Sequence, residues 1–132
     1  MMSPMVVEAK GGESQELKCL ADTIYHEGRS LSDIEQKMIG QVVLNRTINN
    51  KFPKTICGVV YHKAKGKNKR LIRQFSWTSN DNIIKEKAPY DEALSYAKEL
   101  LQGNNHKPIT SALFFSKGKY KCDGKSLCHK FR

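Results

Sequence analysis

The chain has 132 residues, 39% of them hydrophobic, so it can form one compact domain with its own core but not two. Its 23 Lys and Arg outnumber its 13 Asp and Glu, and the formal net charge of +10 predicts attraction to polyanions such as nucleic acid, anionic lipid or an acidic cell wall. No stretch approaches the ~18 to 20 consecutive apolar residues of a membrane helix, so no membrane span is expected.

The beginning of the chain carries no targeting pattern. Residues 1–12 lack a basic region followed by a continuous apolar segment, so we expect no secretory signal and a flexible N-terminal tail. Residues 13–132 are then expected to form the single domain. Such a protein is made in the cytoplasm and would need a separate export or release system to reach a target outside the cell.

Three helices are predicted in the first half of the chain, at residues 14–28, 32–48 and 55–61. The first begins at the N-cap candidate Ser14. Its apolar side chains recur on one face at i, i+3, i+4 and i+7, and they are Leu17, Leu20, Ala21 and Ile24. The second helix begins with a capping-box pattern that starts at Ser32, in the sequence Ser-Asp-Ile-Glu.

Positive charge is concentrated in the middle of the chain, where residues 36–80 contain ten Lys or Arg and no Asp or Glu. The densest part, residues 62–73, has no apolar periodicity and is predicted to be an exposed loop. A further helix is predicted from a first helical position at Pro89 to a cap at Gly103. Its apolar stripe consists of Tyr90, Ala93, Leu94, Ala97 and Leu101. With residues 112–115 predicted as a strand or buried extended segment, the fold class is mainly α, with α+β character only through minimal sheet.

The four cysteines permit two disulfides in any of three pairings, and the sequence does not choose among them. The cysteines are Cys19, Cys57, Cys122 and Cys128. A domain with this apolar content does not need disulfides, so none is assumed and buried or surface thiols are expected. A metal site would combine Cys122, Cys128 and His129 with a distant ligand such as His106 or Cys57, but the paired Cys-x-x-Cys spacing of zinc sites is absent. We therefore expect neither a metal nor another cofactor.

Glu27 is the first candidate for chemistry. On a helical wheel at about 100° per residue it lies about 60° from Ile24, on the flank of the apolar face. A carboxyl held against apolar neighbours loses hydration, and burial favours its neutral form, which can act as an acid. Cleavage of a glycosidic bond requires such a group to protonate the leaving oxygen, as in lysozymes. On periodicity alone, a solvated glutamate at the end of the helix remains the alternative.

Several short sequence motifs follow one another in a consistent order around and beyond Glu27. They are IYHEGRS at 24–30, QVVLNR at 41–46, FPKTICGVVY at 52–61, QFSW at 74–77, ALFF at 112–115 and HKF at 129–131. In this order the chain resembles the spore cortex-lytic and cell wall hydrolase family over roughly residues 17–131. Several motifs in one order are much more specific than any single motif.

The resemblance implies a lysozyme-like, mainly helical domain that cleaves the glycan strands of peptidoglycan, as a lytic transglycosylase or a muramidase. The catalytic glutamate of the family falls on Glu27. The chain departs from the family's usual Tyr-Gly-Glu-Ala-Arg-Gly-Glu pattern at His26, Gly28, Ser30 and Leu31. The missing acid at Leu31 matters least if one glutamate performs the reaction, and His26 adds bulk and a titratable group beside the site.

The acids of the chain favour a mechanism with one carboxyl group. A glycosidase normally needs a second carboxylate at a defined distance, and residues 36–80 offer none. Glu27 would protonate the glycosidic oxygen and then accept a proton from the sugar's own 6-hydroxyl, which gives an anhydro product, or from water. Asp33 and Glu35 are the alternative second acids, although the capping box gives them a structural role.

Six further residues are candidates for substrate binding, namely Tyr25, Asn45, Gln74, Phe75, Ser76 and Trp77. The three aromatic rings are expected to pack on the apolar faces of sugars, with a place in the core as the alternative. The resemblance implies that Asn45 holds Glu27 or the substrate through hydrogen bonds. The alternative is a residue on the helix surface without a specific role. Gln74 and Ser76, with Thr78, are candidates for contacts to N-acetyl groups, whereas His129 is expected to stabilise the C-terminal segment.

The competing class is a small basic nucleic-acid-binding protein that grips phosphates with the loop at residues 62–73. Net charge supports this class, but the aromatic residues are not interleaved with the basic run, and no helix-turn-helix or zinc-finger spacing occurs. On the enzyme interpretation, the same loop attracts the domain to an anionic cell envelope. We expect a monomer that works as a bacteriolytic phage endolysin, released by a separate holin-type protein, with a spore-germination enzyme as the alternative.

Overall fold

The computed structural model describes residues 14–65, 71–73, 75–79, 84–102, 108–117 and 128–131. In this part of the chain the helices are α1 (Ser14–Gly28), α2 (Asp33–Thr47), α3 (Ile56–Val60), α4 (Lys87–Gln102) and a 3₁₀ helix (Ser76–Ser79). The strands are β1 (Lys63–Lys65), β2 (Leu71–Arg73), β3 (Phe114–Lys117) and β4 (Cys128–Phe131). The predicted mainly α fold is confirmed. None of these described helices is long and apolar enough to cross a bilayer.

Helix α1 lies at the centre of the domain and packs against α2, α3 and α4. The predicted apolar face is confirmed, since Leu20, Ala21 and Ile24 are fully buried and Leu17 is half-buried. Burial of a large aliphatic side chain contributes about 1.5 to 3 kcal/mol, so this face is a main source of stability. The helix ends at Gly28, as its sequence predicts.

Helix α2 follows a tight turn and begins with the predicted capping box. The Ser32 hydroxyl accepts a hydrogen bond from the Glu35 backbone N–H at 3.3 Å, and the Glu35 carboxylate accepts one from the Ser32 backbone N–H at 3.2 Å. Gly40 allows this helix to lie close to its neighbours, because a Cβ atom there would stand 2.5 Å from Leu100 Cδ1 and 2.9 Å from Ile24 Cδ1. A side chain at this position would require the terminal methyl groups of Leu100 and Ile24 to shift.

Helix α3 has five residues and is fixed at its N-terminus by two side chains. The Thr55 hydroxyl caps it by accepting a hydrogen bond from the Gly58 backbone N–H at 3.0 Å. The Glu16 carboxylate of α1 accepts hydrogen bonds from the backbone N–H groups of Ile56 and Cys57, at 2.6 and 3.4 Å. These contacts satisfy N–H groups that have no acceptor within the helix, and they confirm the predicted third helix.

A disulfide joins α1 to α3, which corrects the expectation of buried or surface thiols for two of the four cysteines. The bond links Cys19 and Cys57, whose Cα atoms lie 5.3 Å apart. Apolar content argued against a covalent link, but it does not report how close two distant cysteines come when the helices pack. The same bond removes Cys57 from the alternative metal site.

The basic segment at residues 62–73 is not a loop throughout, which corrects the prediction that this segment is an exposed loop. Strands β1 and β2 pair in antiparallel fashion, with Lys63 opposite Arg73 and Lys65 opposite Leu71. The pairing depends on backbone hydrogen bonds rather than on apolar periodicity, so the sequence pattern did not indicate it. The intervening residues 66–70 lie outside the described part of the chain.

Helix α4 begins at Lys87, two residues before the predicted start at Pro89. Proline is tolerated there because backbone N–H groups of the first helical turn have no acceptor within the helix. The predicted stripe is confirmed by the fully buried Ala93 and Ala97, which pack in the core with α1. Burial and a 2.9 Å hydrogen bond to Asp22 of α1 raise the pKa of the Tyr90 hydroxyl above its ordinary value.

The C-terminal part of the domain is a short parallel pair of strands, β3 and β4. Phe114 lies opposite Cys128 and Phe115 lies opposite His129. The prediction of a strand or extended segment at residues 112–115 is confirmed, with Ala112 buried. The predicted cap at Gly103 and the predicted tail at residues 1–12 lie outside the described residues.

Candidate active site

Glu27 is the penultimate residue of α1, where the helix meets the turn that leads to α2. Its side chain is half-buried, and its Oε2 atom accepts a hydrogen bond from Trp77 Nε1 at 3.1 Å. The turn after the helix includes Ser30 in a left-handed conformation with φ of 73°, which favours glycine. Ser30 occupies one of the positions where the family pattern named above carries glycine.

The indole of Trp77 is the partner of Glu27 and is itself surrounded by rings. The His26 imidazole stacks on it, with ring centroids 4.5 Å apart and planes inclined by 22°. Tyr61 meets the indole edge-on at 6.2 Å, and Phe75 lies tilted against it at 6.1 Å. These contacts orient the single tryptophan of the chain, so the indole N–H is directed at the carboxylate rather than free to rotate.

Thr78 fixes the backbone of the 3₁₀ helix that carries Trp77. It is buried, and both its hydroxyl and its backbone N–H donate to the Phe75 carbonyl, at 2.6 and 3.1 Å. The side chain thus closes the turn. This geometry gives Thr78 a local structural contact, and its suggested contact to an N-acetyl group stays a prediction.

Tyr25 is buried, with 3% of its surface exposed, so its ring presents no face for a sugar. Its hydroxyl accepts hydrogen bonds from the backbone N–H groups of Lys85 and Glu86, both at 3.2 Å. The Arg29 guanidinium lies 5.2 Å from the ring centroid and forms an ion pair with Glu86. Tyr25 therefore has the core position considered as its alternative, and it attaches the segment before α4 to α1.

Phe75 is likewise a core residue, with 5% exposure and its ring stacked near Phe115 at 6.4 Å. Ser76 begins the 3₁₀ helix, one residue before Trp77. Gln74 lies outside the described residues. Of the three rings predicted to bind sugar, only Trp77 is partly exposed and adjacent to Glu27.

Asn45 is buried in α2 and uses its amide to hold the segment before β3. Its Nδ2 donates to the carbonyls of Thr110 and Ala112, at 2.8 and 2.9 Å. Its Oδ1 accepts from Gln41 Nε2 at 2.9 Å. These partners belong to the protein backbone and to α2, so the amide joins two distant parts of the chain.

Arg46 ends the QVVLNR motif, and the structure places it between α2 and the segment that leads into β3. It is 5% exposed, its Nε donates to the Leu113 carbonyl at 2.8 Å, and its guanidinium lies 4.9 and 5.3 Å from the rings of Phe52 and Phe114. Burial lowers the pKa of Arg46 to about 10. The residue joins α2 to β3 by a charge-assisted hydrogen bond and by cation–π contacts.

The two alternative second acids both have structural partners. Glu35 belongs to the capping box with Ser32. Asp33 is hydrogen-bonded to Tyr96. This bond is the main reason why the pKa of that tyrosine is raised to about 12, and burial is the second reason. Glu35 thus stabilises the start of α2, and Asp33 joins α2 to α4.

A metal centre is not apparent among the described residues, where no three His, Cys, Asp or Glu side chains come together. Of the alternative ligand set, Cys57 is in the disulfide. His106 and Cys122 lie outside the described part of the chain, and Cys128 and His129 are described only as members of β4.

Comparison with protein families identifies the class to which this domain belongs. A family model described as Cell Wall Hydrolase matches residues 32–128, which is most of the chain. The chain therefore belongs to the cell wall hydrolase family, and its general function is hydrolysis of the bacterial wall. The match begins after Glu27, so it does not include this glutamate. No curated protein and no solved structure shows significant similarity.

Proposed function

We propose that the protein cleaves the glycan strands of peptidoglycan, with Glu27 as the general acid and base. The observation that carries this proposal is the hydrogen bond of 3.1 Å from Trp77 to the half-buried Glu27 carboxylate at the end of α1. It places an acid beside an aromatic ring that is itself partly exposed. Family membership supports the substrate class, and this pairing supports the role of Glu27.

The first step of the mechanism is protonation of the leaving group. Glu27 in its acid form donates its proton to the glycosidic oxygen as the bond from that oxygen to the anomeric carbon breaks. The carboxylate that results is stabilised by the N–H of Trp77, because a hydrogen bond to a charged acceptor is stronger than one to a neutral acceptor.

The second step restores the acid. The Glu27 carboxylate removes a proton from the 6-hydroxyl of the sugar that carries the anomeric carbon. The oxygen of this hydroxyl then attacks the anomeric carbon and closes an anhydro ring. Water in the same position would give a reducing end instead. A single carboxyl group is sufficient for both steps, and this agrees with the structural contacts of Asp33 and Glu35.

Substitution of Glu27 by Gln tests the assignment. The amide has the shape of the carboxyl and can still accept a hydrogen bond from Trp77, but it has no proton to donate. We expect the rate of clearing of purified sacculi to fall by about 10² to 10⁴. Glu99→Gln is the matched control, since Glu99 is an exposed residue of α4 paired with Lys37, and it should retain full activity. A Glu27→Gln variant as active as the control would refute the proposal.

The products distinguish the two forms of the reaction. Mass spectrometry of soluble fragments from sacculi shows anhydro ends if the 6-hydroxyl attacks and reducing ends if water attacks. The proposal predicts that one of these ends accumulates and that Glu27→Gln abolishes it. If neither type of glycan end appears while the wall still dissolves, the enzyme cuts a different bond in peptidoglycan.

Two features of the chain support action at the cell wall. Disulfides persist mainly outside the reducing cytoplasm, so the bond between Cys19 and Cys57 favours an extracytoplasmic place of action. The net charge of +10 favours accumulation on an anionic envelope. The strands at Lys63–Lys65 and Leu71–Arg73 contribute to this charge. We propose that this charge concentrates the enzyme on its substrate.

A further inference from the structure

Tyr61 is an exposed aromatic residue next to the candidate active site. It directly follows α3 as its C-cap and has 41% of its surface exposed. By contrast, the rings of Tyr25 and Phe75 are 3% and 5% exposed and are committed to the core. Tyr61 is therefore a second ring near Glu27, beside the partly exposed Trp77, that has surface available for a ligand.

The position of Tyr61 is fixed by the helix that precedes it. Val59 and Val60 are fully buried, so the helix cannot rotate without exposing its apolar side. The disulfide from Cys57 ties the helix to α1, which carries Glu27 near its other end. A ring held in this way loses little conformational freedom when a ligand binds, and this preorganisation favours affinity.

The contact with Trp77 connects Tyr61 to the reacting carboxyl group. The two rings meet edge-on, with centroids 6.2 Å apart and planes inclined by 72°. Trp77 in turn donates its hydrogen bond to Glu27. The rings of His26, Trp77 and Tyr61 thus form a continuous row, which begins at the end of α1 and extends outward to an exposed tyrosine.

An exposed tyrosine in such a row is better suited to bind a saccharide than to serve only as a structural residue. The apolar C–H face of a sugar packs on the ring, while the phenolic hydroxyl can bond to sugar hydroxyl or N-acetyl groups. We propose that Tyr61 binds a sugar of the glycan strand next to the bond that is cleaved. This inference rests on the proposed function of Glu27 for the position of that bond.

Binding can be measured without turnover in a Glu27→Gln background, which keeps an acceptor for the indole N–H. The probe is a soluble tetrasaccharide of alternating N-acetylglucosamine and N-acetylmuramic acid. Trp77 is the only tryptophan in the chain, so a change in intrinsic fluorescence reports binding at this site. In this background we expect Tyr61→Ala to weaken binding about tenfold and Tyr61→Phe to retain most of it.

Tyr96→Ala in the same background is the matched control. Tyr96 is a half-buried tyrosine of α4 that contacts Lys37 and Asp33, so its removal tests whether loss of any tyrosine weakens binding. It should bind the tetrasaccharide as tightly as the Glu27→Gln parent. Circular dichroism before each titration confirms that the variants are folded.

The outcomes separate this inference from the proposed function. Unchanged affinity in Tyr61→Ala, or an equal loss in Tyr96→Ala, would overturn the role of Tyr61. If Glu27→Gln alone still dissolved sacculi but Tyr61→Ala weakened binding, the acid assignment would fall and the sugar-binding residue would stand. Loss of the wall-lytic rate in Glu27→Gln together with tenfold weaker binding in Tyr61→Ala supports both.

Discussion

At the residue scale, the candidate site depends on how Glu27 is held rather than on its identity alone. The side chain accepts a hydrogen bond from Trp77, and the indole is stacked on the imidazole of His26. Glu27 and His26 are consecutive in α1, so one helical turn supplies both the carboxyl group and a ring that orients its partner. The helical wheel placed Glu27 at the edge of the apolar face, and its half-buried position agrees with that prediction.

We predict that His26 acts on the reaction by positioning Trp77. Removal of the ring in His26→Ala should lower kcat about three- to tenfold, because an aromatic pair contributes about 0.5 to 1.5 kcal/mol. His26→Phe keeps the stack and should retain most of the activity. Steady-state rates on soluble glycan fragments measure the effect, and KM should change less than kcat.

The pair of variants also distinguishes stacking from chemistry. Equal losses in His26→Ala and His26→Phe would mean that the imidazole nitrogens, and not the ring face, matter to the reaction. Equal activity of both variants and the unmodified protein would show that Trp77 does not need this contact. Either result would contradict the positioning role.

At the scale of elements, α3 is the piece whose placement most affects the site. With five residues it is too short to be stable alone, since isolated helices need about 12 to 15 residues. Its stability comes from the Glu16 carboxylate, the Thr55 cap and the disulfide to Cys19. These contacts position Tyr61, the exposed ring of the candidate binding site.

We predict that the disulfide between Cys19 and Cys57 is a major part of the stability. The bond closes a loop with a sequence separation of 38 residues, and closure of a loop of this length restricts the unfolded chain by an amount worth about 4 kcal/mol. Cys19→Ala/Cys57→Ala should lower the free energy of unfolding by about 2 to 4 kcal/mol. Urea denaturation followed by circular dichroism measures the change.

The remaining cysteines provide the control. Cys122→Ala/Cys128→Ala leaves the linked pair intact and should still lose stability when a reductant is added. The variant without Cys19 and Cys57 should respond much less to reductant. If the two double variants responded in the opposite way, the bond between α1 and α3 would not be the stabilising one.

At the scale of the whole molecule, we propose that the charge distribution brings the domain to an anionic target. Basic residues concentrate between residues 36 and 80, and strand pairing brings Lys63 opposite Arg73. The hairpin precedes the 3₁₀ helix that carries Trp77, and β2 contacts that helix. The basic segment therefore connects directly to the candidate site.

We predict that salt weakens action on whole cell walls but not on small neutral glycans. The screening length falls from about 10 Å at 0.1 M salt to about 3 Å at 1 M, so attraction to an anionic wall is lost. Clearing of sacculi should slow severalfold over this range, while the rate on uncharged soluble fragments should stay constant. Turbidity and fragment assays in parallel give the two rates.

Charge-neutralising variants test whether the hairpin is responsible. Lys63→Gln/Lys65→Gln should reduce the salt sensitivity, whereas the exposed pair Lys85→Gln/Lys98→Gln should change it less. An equal effect of both pairs would mean that net charge alone attracts the enzyme. If neither pair changed the dependence of the clearing rate on salt concentration, the electrostatic role would be contradicted.

The sequence by itself determined the local elements and the class of chemistry. Apolar spacing in α1 and α4 and the capping box of α2 are local signals, because they depend on residues three or four positions apart. They predicted the helices to within two residues. The order of the short motifs predicted the family to which the chain belongs.

Only the tertiary structure decided which residues meet. The indole of Trp77 reaches Glu27 across 50 positions, and Cys19 meets Cys57 across 38, so neither contact leaves a periodic trace in the sequence. Burial likewise separated Tyr25, an aromatic core residue, from Tyr61, an exposed one, although the two are chemically identical. A side chain's environment depends on which helices pack around it, and packing is a property of the whole fold.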